Sequence, residues 1–438
     1  MLNKKVIRSY ISLSILVLII LVPIFVLYRD IPLGSSLSPW PVLFSTLGKL
    51  SGLLGLSMFS LALLMSSRFV WLDKLFYGLP KVINIHRWLG TLSFTFIIVH
   101  PLFLAARLLP VSSQLAWSVF TQWSQAAYLY GYVSLLVFMA LVIMTFFWRL
   151  RYERLKSLHS LLAVPLMIGG IHSLLIDSDV KRIPLLAVYY ILLISLSVIF
   201  YLVRLFLVDY GIKAQRFVLS EAAKLNANTI SLTLKPSKKI INCQPGQFIF
   251  VSFPQIQKGE EHPFSVAAIH EDGSLNIITK TLGDYTASMA ALQVGSVAMV
   301  DGPYGRFGDN ADHNCHQVWI AGGIGITPFI SMAQSCAKVS DAYGKVDLIY
   351  AAASASDFAA LDTLRAVESS CPRFKLSIHA SDQDGRFDMA KLNSLINDPS
   401  SCHFYICGPA GMIKYFVDAL KKAKVPNSHI NIEAFKLL

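Results

Sequence analysis

The sequence predicts a multi-domain chain: a six-span α-helical transmembrane bundle, then an antiparallel β-barrel, then a Rossmann-like α/β domain. Three observations predict it. The 438 residues are 54% hydrophobic and only 15% charged, with a mean hydropathy of +0.55, too apolar for a chain whose whole surface meets water. The apolar surplus is confined to the first half, in runs such as Ile11–Leu27 and Val137–Phe147. Past Asp209 the hydrophobic period changes to short alternating segments and then to strand–turn–helix units. These changes divide the chain into expected domains 1–208, 209–311 and 312–438. Neither a purely soluble enzyme nor a pure channel fits.

A helix needs about 20 apolar residues to cross a bilayer. Six stretches qualify, at roughly 9–28, 42–66, 84–108, 126–148, 156–177 and 184–208. Six spans in contact with lipid bring both termini to one side. Lys4, Lys5 and Arg8 precede the first span; Arg68, Lys74, Lys81 and Arg87 separate the second and third; Arg149, Arg151, Arg154 and Lys156 separate the fourth and fifth. The positive-inside rule then predicts cytoplasmic termini in a multi-pass cytoplasmic membrane protein. No small-residue cleavage site follows the first span, so it is expected to stay uncleaved. Residues 1–210 hold 17 Lys/Arg against 6 Asp/Glu, and the remainder 21 against 20. The basic excess is therefore a membrane-flank signal, and no basic stripe with interleaved aromatics points to nucleic acid. All six cysteines lie in the soluble half at spacings that match neither a zinc site nor a disulfide framework.

Four of the eleven histidines fall in or beside predicted spans: His86 and His100 on the third, His159 and His172 on the fifth. Ionisable residues at membrane depth are costly and usually functional. Both spans run in the same direction, so the pairs define two levels roughly 20 Å apart. That arrangement suits two stacked haems, His86 with His159 and His100 with His172, as the metal ligands. With no C-x-x-C-H in the chain, the haems are expected to be b-type. One difficulty is rotational. A 14-residue step returns to within roughly 40° of the same helix face, but the 13-residue step from His159 to His172 misses by roughly 140°. The fifth span must be irregular, and Pro165 with Gly169-Gly170 are the expected causes. Lys49, in the second span, is expected to meet an outer haem propionate or an anionic acceptor, or else to snorkel to the interface. Arg107 reads as an interfacial anchor.

The soluble half carries six β-rich segments: Phe217–Ser220, Thr229–Leu234, Phe248–Phe253, Ser265–Ile269, Ser274–Thr279 and Val297–Val300. Within them His262-Pro263-Phe264-Ser265 offers a hydroxyl and apolar packing for an isoalloxazine. Lys280-Thr281-Leu282-Gly283-Asp284-Tyr285-Thr286 offers a cation, a close-approach glycine and a hydroxyl for a pyrophosphate. Parallel strands are expected at Val318–Ala321, Val346–Ala351, Lys375–His379 and His403–Cys407. Ala321-Gly322-Gly323-Ile324-Gly325-Ile326-Thr327-Pro328 joins the first of these to a helix, and Cys407-Gly408-Pro409-Ala410-Gly411-Met412 repeats that arrangement.

Taken in order, the paired histidines, HPFS, KTLGDYT, GPYG, AGGIGITP, CGPAGM and a terminal EAF resemble the ferric reductase and NADPH oxidase superfamily over nearly the whole chain. The resemblance implies electron flow from cytosolic NADPH or NADH through FAD, an inner haem and an outer haem to a small-molecule acceptor. Ferric iron or its chelates are the expected acceptor, with oxygen reduced to superoxide as the alternative, and a haem-free membrane-anchored flavin reductase as a further one. The resemblance also implies roles by motif position. His262, Pro263, Phe264 and Ser265 would contact FAD, with Lys280, Gly283 and Thr286 near its phosphates. Gly322, Gly323, Gly325 and Thr327 would line the nicotinamide dinucleotide, Cys407, Gly408 and Pro409 would lie near the nicotinamide, and Phe435 would cover the flavin. Two positions depart from the pattern. Tyr350-Ala351-Ala352-Ala353-Ser354 lacks the Arg that many NADPH-using relatives place there, leaving Arg386 as the candidate for a 2′-phosphate. Leu104 stands where animal oxidases carry a second histidine one turn past the outer ligand.

Overall fold

A computed structural model describes residues 4–29, 39–147, 152–206, 214–256, 260–308, 315–338 and 344–433. The chain separates into two compact units, one ending at Phe206 and the other beginning at Leu207, with Tyr77–Pro80 grouped with the second.

The described residues of the first unit contain six helical spans long and apolar enough to cross a membrane. They are α1 (Lys4–Leu27), α2 (Trp40–Ser66), α3 (Leu79–Ala106), α4 (Ala126–Phe147), the pair α5 (Tyr152–Ser160) and α6 (Ala163–Leu175), and α7 (Pro184–Arg204). Proline in the first turn starts α2, and Pro184 starts α7, where its missing N–H costs nothing. The third span begins about a turn earlier than the sequence suggests, so Lys81 and Arg87 lie on α3 and not in a loop. Side chains such as Leu18, Leu192 and Ile199 stay more than half exposed, which suits contact with lipid. Close helix contact comes from small residues. A Cβ at Gly48, Gly52 or Gly55 of α2 would fall 2.6 Å from Leu104, 2.7 Å from His100 and 2.9 Å from Ile97 of α3.

The fifth span is interrupted as its rotation requires, but not at the glycines. Between α5 and α6, tight three-residue hydrogen bonds run from Leu161 N to Leu158 O and from Leu162 N to His159 O, at 3.1 and 3.2 Å. Pro165 is the cause, because a proline ring clashes with the carbonyl four residues earlier, here that of Leu161. Overwinding at this turn changes the rotation between His159 and His172. Gly169 and Gly170 stay inside α6, where they admit Ser134 of α4 and Ile194 of α7.

In the second unit, β1 (Gln215–Asn226), β2 (Thr229–Pro236), β3 (Phe248–Ser252), β4 (His262–Ile269), β5 (Leu275–Lys280) and β6 (Val297–Tyr304) close a barrel in the order β1-β2-β5-β4-β3-β6. Its core is the inward row of alternating residues, among them Phe217, Leu232, Ile249, Val266 and Ile277. Proline and glycine set the turns. Gln247 N donates to Gln244 O at 3.1 Å across Pro245-Gly246, with Gly246 at φ +80. After helix α8 (Asp284–Met289) and β6, the chain builds a five-stranded parallel sheet in the order β11-β10-β7-β8-β9, with β7 (Gln317–Gly322), β8 (Val346–Ala352), β9 (Phe374–Ala380), β10 (His403–Cys407) and β11 (Ile430–Glu433). Helices α9 (Thr327–Lys338), α10 (Leu361–Ser370) and α11 (Ala410–Lys422) cover it. Strand β11 is absent from the sequence reading. Its four residues alternate polar and apolar at a sheet edge, so they carry none of the continuous apolar character of the buried strands. The sheet and barrel meet within this unit, where Gly246 N donates to Ser331 Oγ of α9 at 3.1 Å.

Candidate functional site

Three of the four membrane histidines are held in one way. His86 Nδ1 donates to the Ala62 carbonyl at 2.8 Å, His100 Nδ1 to that of Gly48 at 2.7 Å, and His172 Nδ1 to that of Ala127 at 2.7 Å. A carbonyl only accepts, so each bond fixes the proton on Nδ1 and leaves the Nε2 lone pair for a metal. His159 differs in that its Nδ1 is buried with no hydrogen-bond partner among the described residues. Its ring lies 5.9 Å from that of His86, centroid to centroid. With metal–imidazole bonds of about 2 Å, two rings sharing one iron need a separation of roughly this size.

The surroundings fit a flat macrocycle. Gly90 lies one turn after His86 on the same helix face, and a Cβ there would meet nothing within 4 Å. At the second level, glycines make room for the imidazoles themselves. A Cβ at Gly52 would fall 2.7 Å from His100 Nδ1, and one at Gly131 would fall 2.8 Å from the His172 ring. Neither glycine, nor the carbonyls of Gly48, Ala62 and Ala127, emerges from the sequence reading. The one available signal is the spacing Gly48-Gly52-Gly55 along a span, which marks a close helix contact.

On the His100 side a cavity of about 590 Å³ opens between the ends of α1, α2 and α3, lined by Tyr28, Ser45, Thr46, Lys49, Arg107 and Asp179 among others. Lys49, expected beside a propionate or an acceptor, pairs instead with Asp179 at 2.8 Å. That partner comes from the turn of helix Asp179–Arg182 before α7. Arg107 reaches Ser45 Oγ only at 3.5 Å, and its Nε is buried with no partner among the described residues.

In the soluble unit the two barrel motifs are brought together: the His262 ring lies against Tyr285 at a 35° tilt, centroids 3.9 Å apart. Burial lowers the His262 pKa despite Glu260 at 3.4 Å. Phe264 and Ser265 are buried in β4, with Pro263 beside them. The Thr286 hydroxyl accepts from Leu282 N and Gly283 N at 3.0 and 3.2 Å, so it closes the local turn. Beside Gly283 there is open space. Lys280 Nζ is engaged by Asp357 of the α/β domain at 2.9 Å.

The two glycine turns pack backbone against backbone. A Cβ at Gly325 would fall 2.4 Å from the Cys407 carbonyl oxygen, and one at Gly408 would fall 2.9 Å from the Gly322 Cα. Gly323 at φ +54 and Gly408 at φ +155 take conformations that other residues resist. Thr327 is buried, its hydroxyl donating to Ile324 O at 3.1 Å. Because β8 follows β7 on one side and β10 flanks it on the other, the strand order reverses between β7 and β10. That crevice, at the carboxyl ends of the strands, is where open α/β sheets take ligands. Cys407 is fully buried there, and burial with nearby Glu433 holds its thiol well above the ordinary range. It is a neutral wall and not an exposed nucleophile. Phe435 lies outside the described residues.

Three family descriptions match this chain: a ferric reductase like transmembrane component over residues 51–170, an FAD-binding domain over 214–308 and an oxidoreductase NAD-binding domain over 319–418. The chain therefore carries a ferric-reductase-like transmembrane domain joined to FAD- and NAD-binding domains. Three of the four histidines fall inside the first match, and His172 lies just past it. The sequence is similar to methane monooxygenase component C of Methylosinus trichosporium, at 26% identity over 37% of this chain and 49% of that protein. It is also similar to ferric reduction oxidase 8, mitochondrial, of Arabidopsis thaliana, at 30% over 27% and 18%. A third relative is NADPH oxidase 3 of Rattus norvegicus, at 31% over 24% and 20%. The chain spans about half the length of the first of these and about a fifth of the other two.

Proposed function

We propose that this chain is a transmembrane oxidoreductase that passes electrons from NADH or NADPH through FAD and two bis-histidine b-type haems to an acceptor across the membrane, with ferric iron or its chelates as that acceptor. The observation that carries the reading is the set of membrane histidines whose Nδ1 atoms are spent on backbone carbonyls. When bound, FAD would supply the conversion between a two-electron hydride donor and one-electron haem irons.

The residues do the rest by holding and excluding. His86 with His159, and His100 with His172, would each hold one haem iron through their Nε2 atoms, which would keep the acceptor off the metal. His262, Pro263, Phe264 and Ser265 line the flavin, Gly283 and Thr286 border the open space beside α8, and Gly322, Gly323, Gly325, Thr327, Gly408 and Pro409 shape the nicotinamide crevice. Phe435 is assigned to cover the flavin ring. No side-chain acid or nucleophile is needed, in keeping with the neutral, buried Cys407. The basic flanks put both termini in the cytoplasm of a cytoplasmic membrane protein.

Two cations, Lys49 and Arg107, against one Asp179 in the cavity beyond His100 favour an anionic chelate over neutral oxygen. Oxygen is the second reading, favoured by the similarity to NADPH oxidase 3. Purified protein should show sharp bis-imidazole reduced bands and two haems per chain. Ferrous chelate formation should exceed superoxide-dismutase-sensitive cytochrome c reduction. A preparation that keeps its flavin but has no Soret absorbance overturns the reading.

A further inference from the structure

Two of the six cysteines meet where neighbouring helices of the α/β domain end. Cys336 lies in the last turn of α9, and Cys371 is the residue that closes α10. Their sulfurs are 3.6 Å apart although 35 positions separate them in the chain, and Cys371 Sγ also stands 3.9 Å from the Cys336 carbonyl oxygen. Nothing lies between the sulfurs. Both side chains are fully buried, in the cluster that includes Trp319, Val367 and Phe374. A disulfide bond is about 2.05 Å long, so the pair is in contact but about 1.5 Å short of bonding. The loop that such a bond would close contains β8 and α10 whole. Cys336 is also remote from the glycine turn, since it follows Thr327 by more than two turns of α9.

We infer that Cys336 and Cys371 are a modification site, joined in a reversible disulfide when the protein meets hydrogen peroxide, and that the bond locks α9 to the part of the sheet built by β8 and α10. The inference needs neither haem nor flavin. One thiol sulfur attacks a peroxide oxygen, the O–O bond breaks and water leaves, which makes a sulfenic acid. The second sulfur attacks the first and displaces its oxygen as another water. In all, two thiols give up two electrons and two protons, and one peroxide becomes two waters. A dithiol reductant reverses the step. Burial and the neighbouring Cys371 sulfur push the Cys336 thiol up, while Arg373 works against that rise. Little thiolate is therefore present at neutral pH, so the bond forms slowly. In a reducing cytosol a bond of this kind is transient and registers oxidation.

The test is treatment of the folded, full-length protein with hydrogen peroxide for hours, then alkylation in denaturant and peptide mapping. Two of the six alkylatable cysteines should disappear, with the peptides carrying Cys336 and Cys371 recovered as one cross-linked pair. Dithiothreitol should restore both. Because the bond restrains the unfolded chain, the thermal midpoint of the second unit should rise by about 5 °C on oxidation. In Cys371→Ala the same treatment should leave the midpoint where it was. Mapping of the unaltered protein decides the matter even where that variant does not fold. Six free thiols after treatment, a link from either residue to a different cysteine, or a Cys336–Cys371 link that does not move the midpoint overturns the inference.

Discussion

Histidines behave differently in the two halves of this molecule, and the difference lies in what their nitrogens bond. In the membrane unit His86, His100 and His172 each give Nδ1–H to a backbone carbonyl, a neutral acceptor that leaves Nε2 free. In the soluble unit His316 Nε2 meets the Asp347 carboxylate at 2.5 Å while its Nδ1 faces Cys402 Sγ at 3.3 Å. His403 and His429 stack on each other at 4.0 Å. The Asp347 carboxylate draws His316 toward its charged form, whereas a histidine that gives Nδ1–H to a carbonyl keeps a free Nε2 lone pair. The same residue type thus has both ring nitrogens engaged at His316 and one left open at His86, His100 and His172.

The strongest way to break this comparison is to remove the ligands. His100→Ala and His172→Ala should each abolish one of two haems, leaving about half the Soret absorbance. Acceptor reduction should fall by more than the roughly hundredfold that loss of supporting contacts alone can cause. Flavin content should not change, and retention of both haems would remove the ligand assignment.

A smaller effect tests the support and not the ligand. In Gly131→Ala the new methyl would sit 2.8 Å from the His172 ring, so the imidazole must turn. Haem retention at that level, read by transfer to a haem-scavenging protein, should weaken by about tenfold. Equal retention would show that the ring has slack that the packing does not reveal.

The smallest effect sharpens the soluble side. The Asp347 hydrogen bond and Cys402 raise His316 to about 9, while His316 and Lys345 hold the Asp347 carboxyl below its usual range. A histidine raised on folding stabilises fully below its unfolded pKa of about 6.5, and that contribution fades as pH climbs through 9. The thermal midpoint of the second unit should therefore drop between pH 6.5 and 9.5, by roughly 2 °C for a partly solvated pair. His316→Gln should flatten the dependence.

How much of this was legible depends on where each signal resides. Six barrel strands and four of the parallel strands announce themselves by alternating or continuous apolar residues, and six spans by length and hydropathy. β11 is too short and too polar to do so. The irregular fifth span follows from arithmetic on 13 residues. Its location was displaced because a proline disrupts the backbone four residues before itself, so the break falls at Leu161 and Leu162.

The partners chosen by distant side chains were beyond the sequence. Lys49 meets Asp179 and Lys280 meets Asp357, each pair far apart in the chain, and no local pattern encodes such meetings. The acceptors for the histidine Nδ1 atoms are invisible for another reason: they are main-chain carbonyls, which every residue possesses. Which of these faces a ring is decided only when α2 and α4 pack against α3 and α6.

By itself, then, the sequence determined six apolar spans and every strand but β11, because period and composition are local properties. Tertiary structure alone decided the tautomers of His86, His100 and His172, the crevice between β7 and β10 and the pairing of Lys280 with Asp357. These depend on which surfaces meet, and only packing brings those surfaces together.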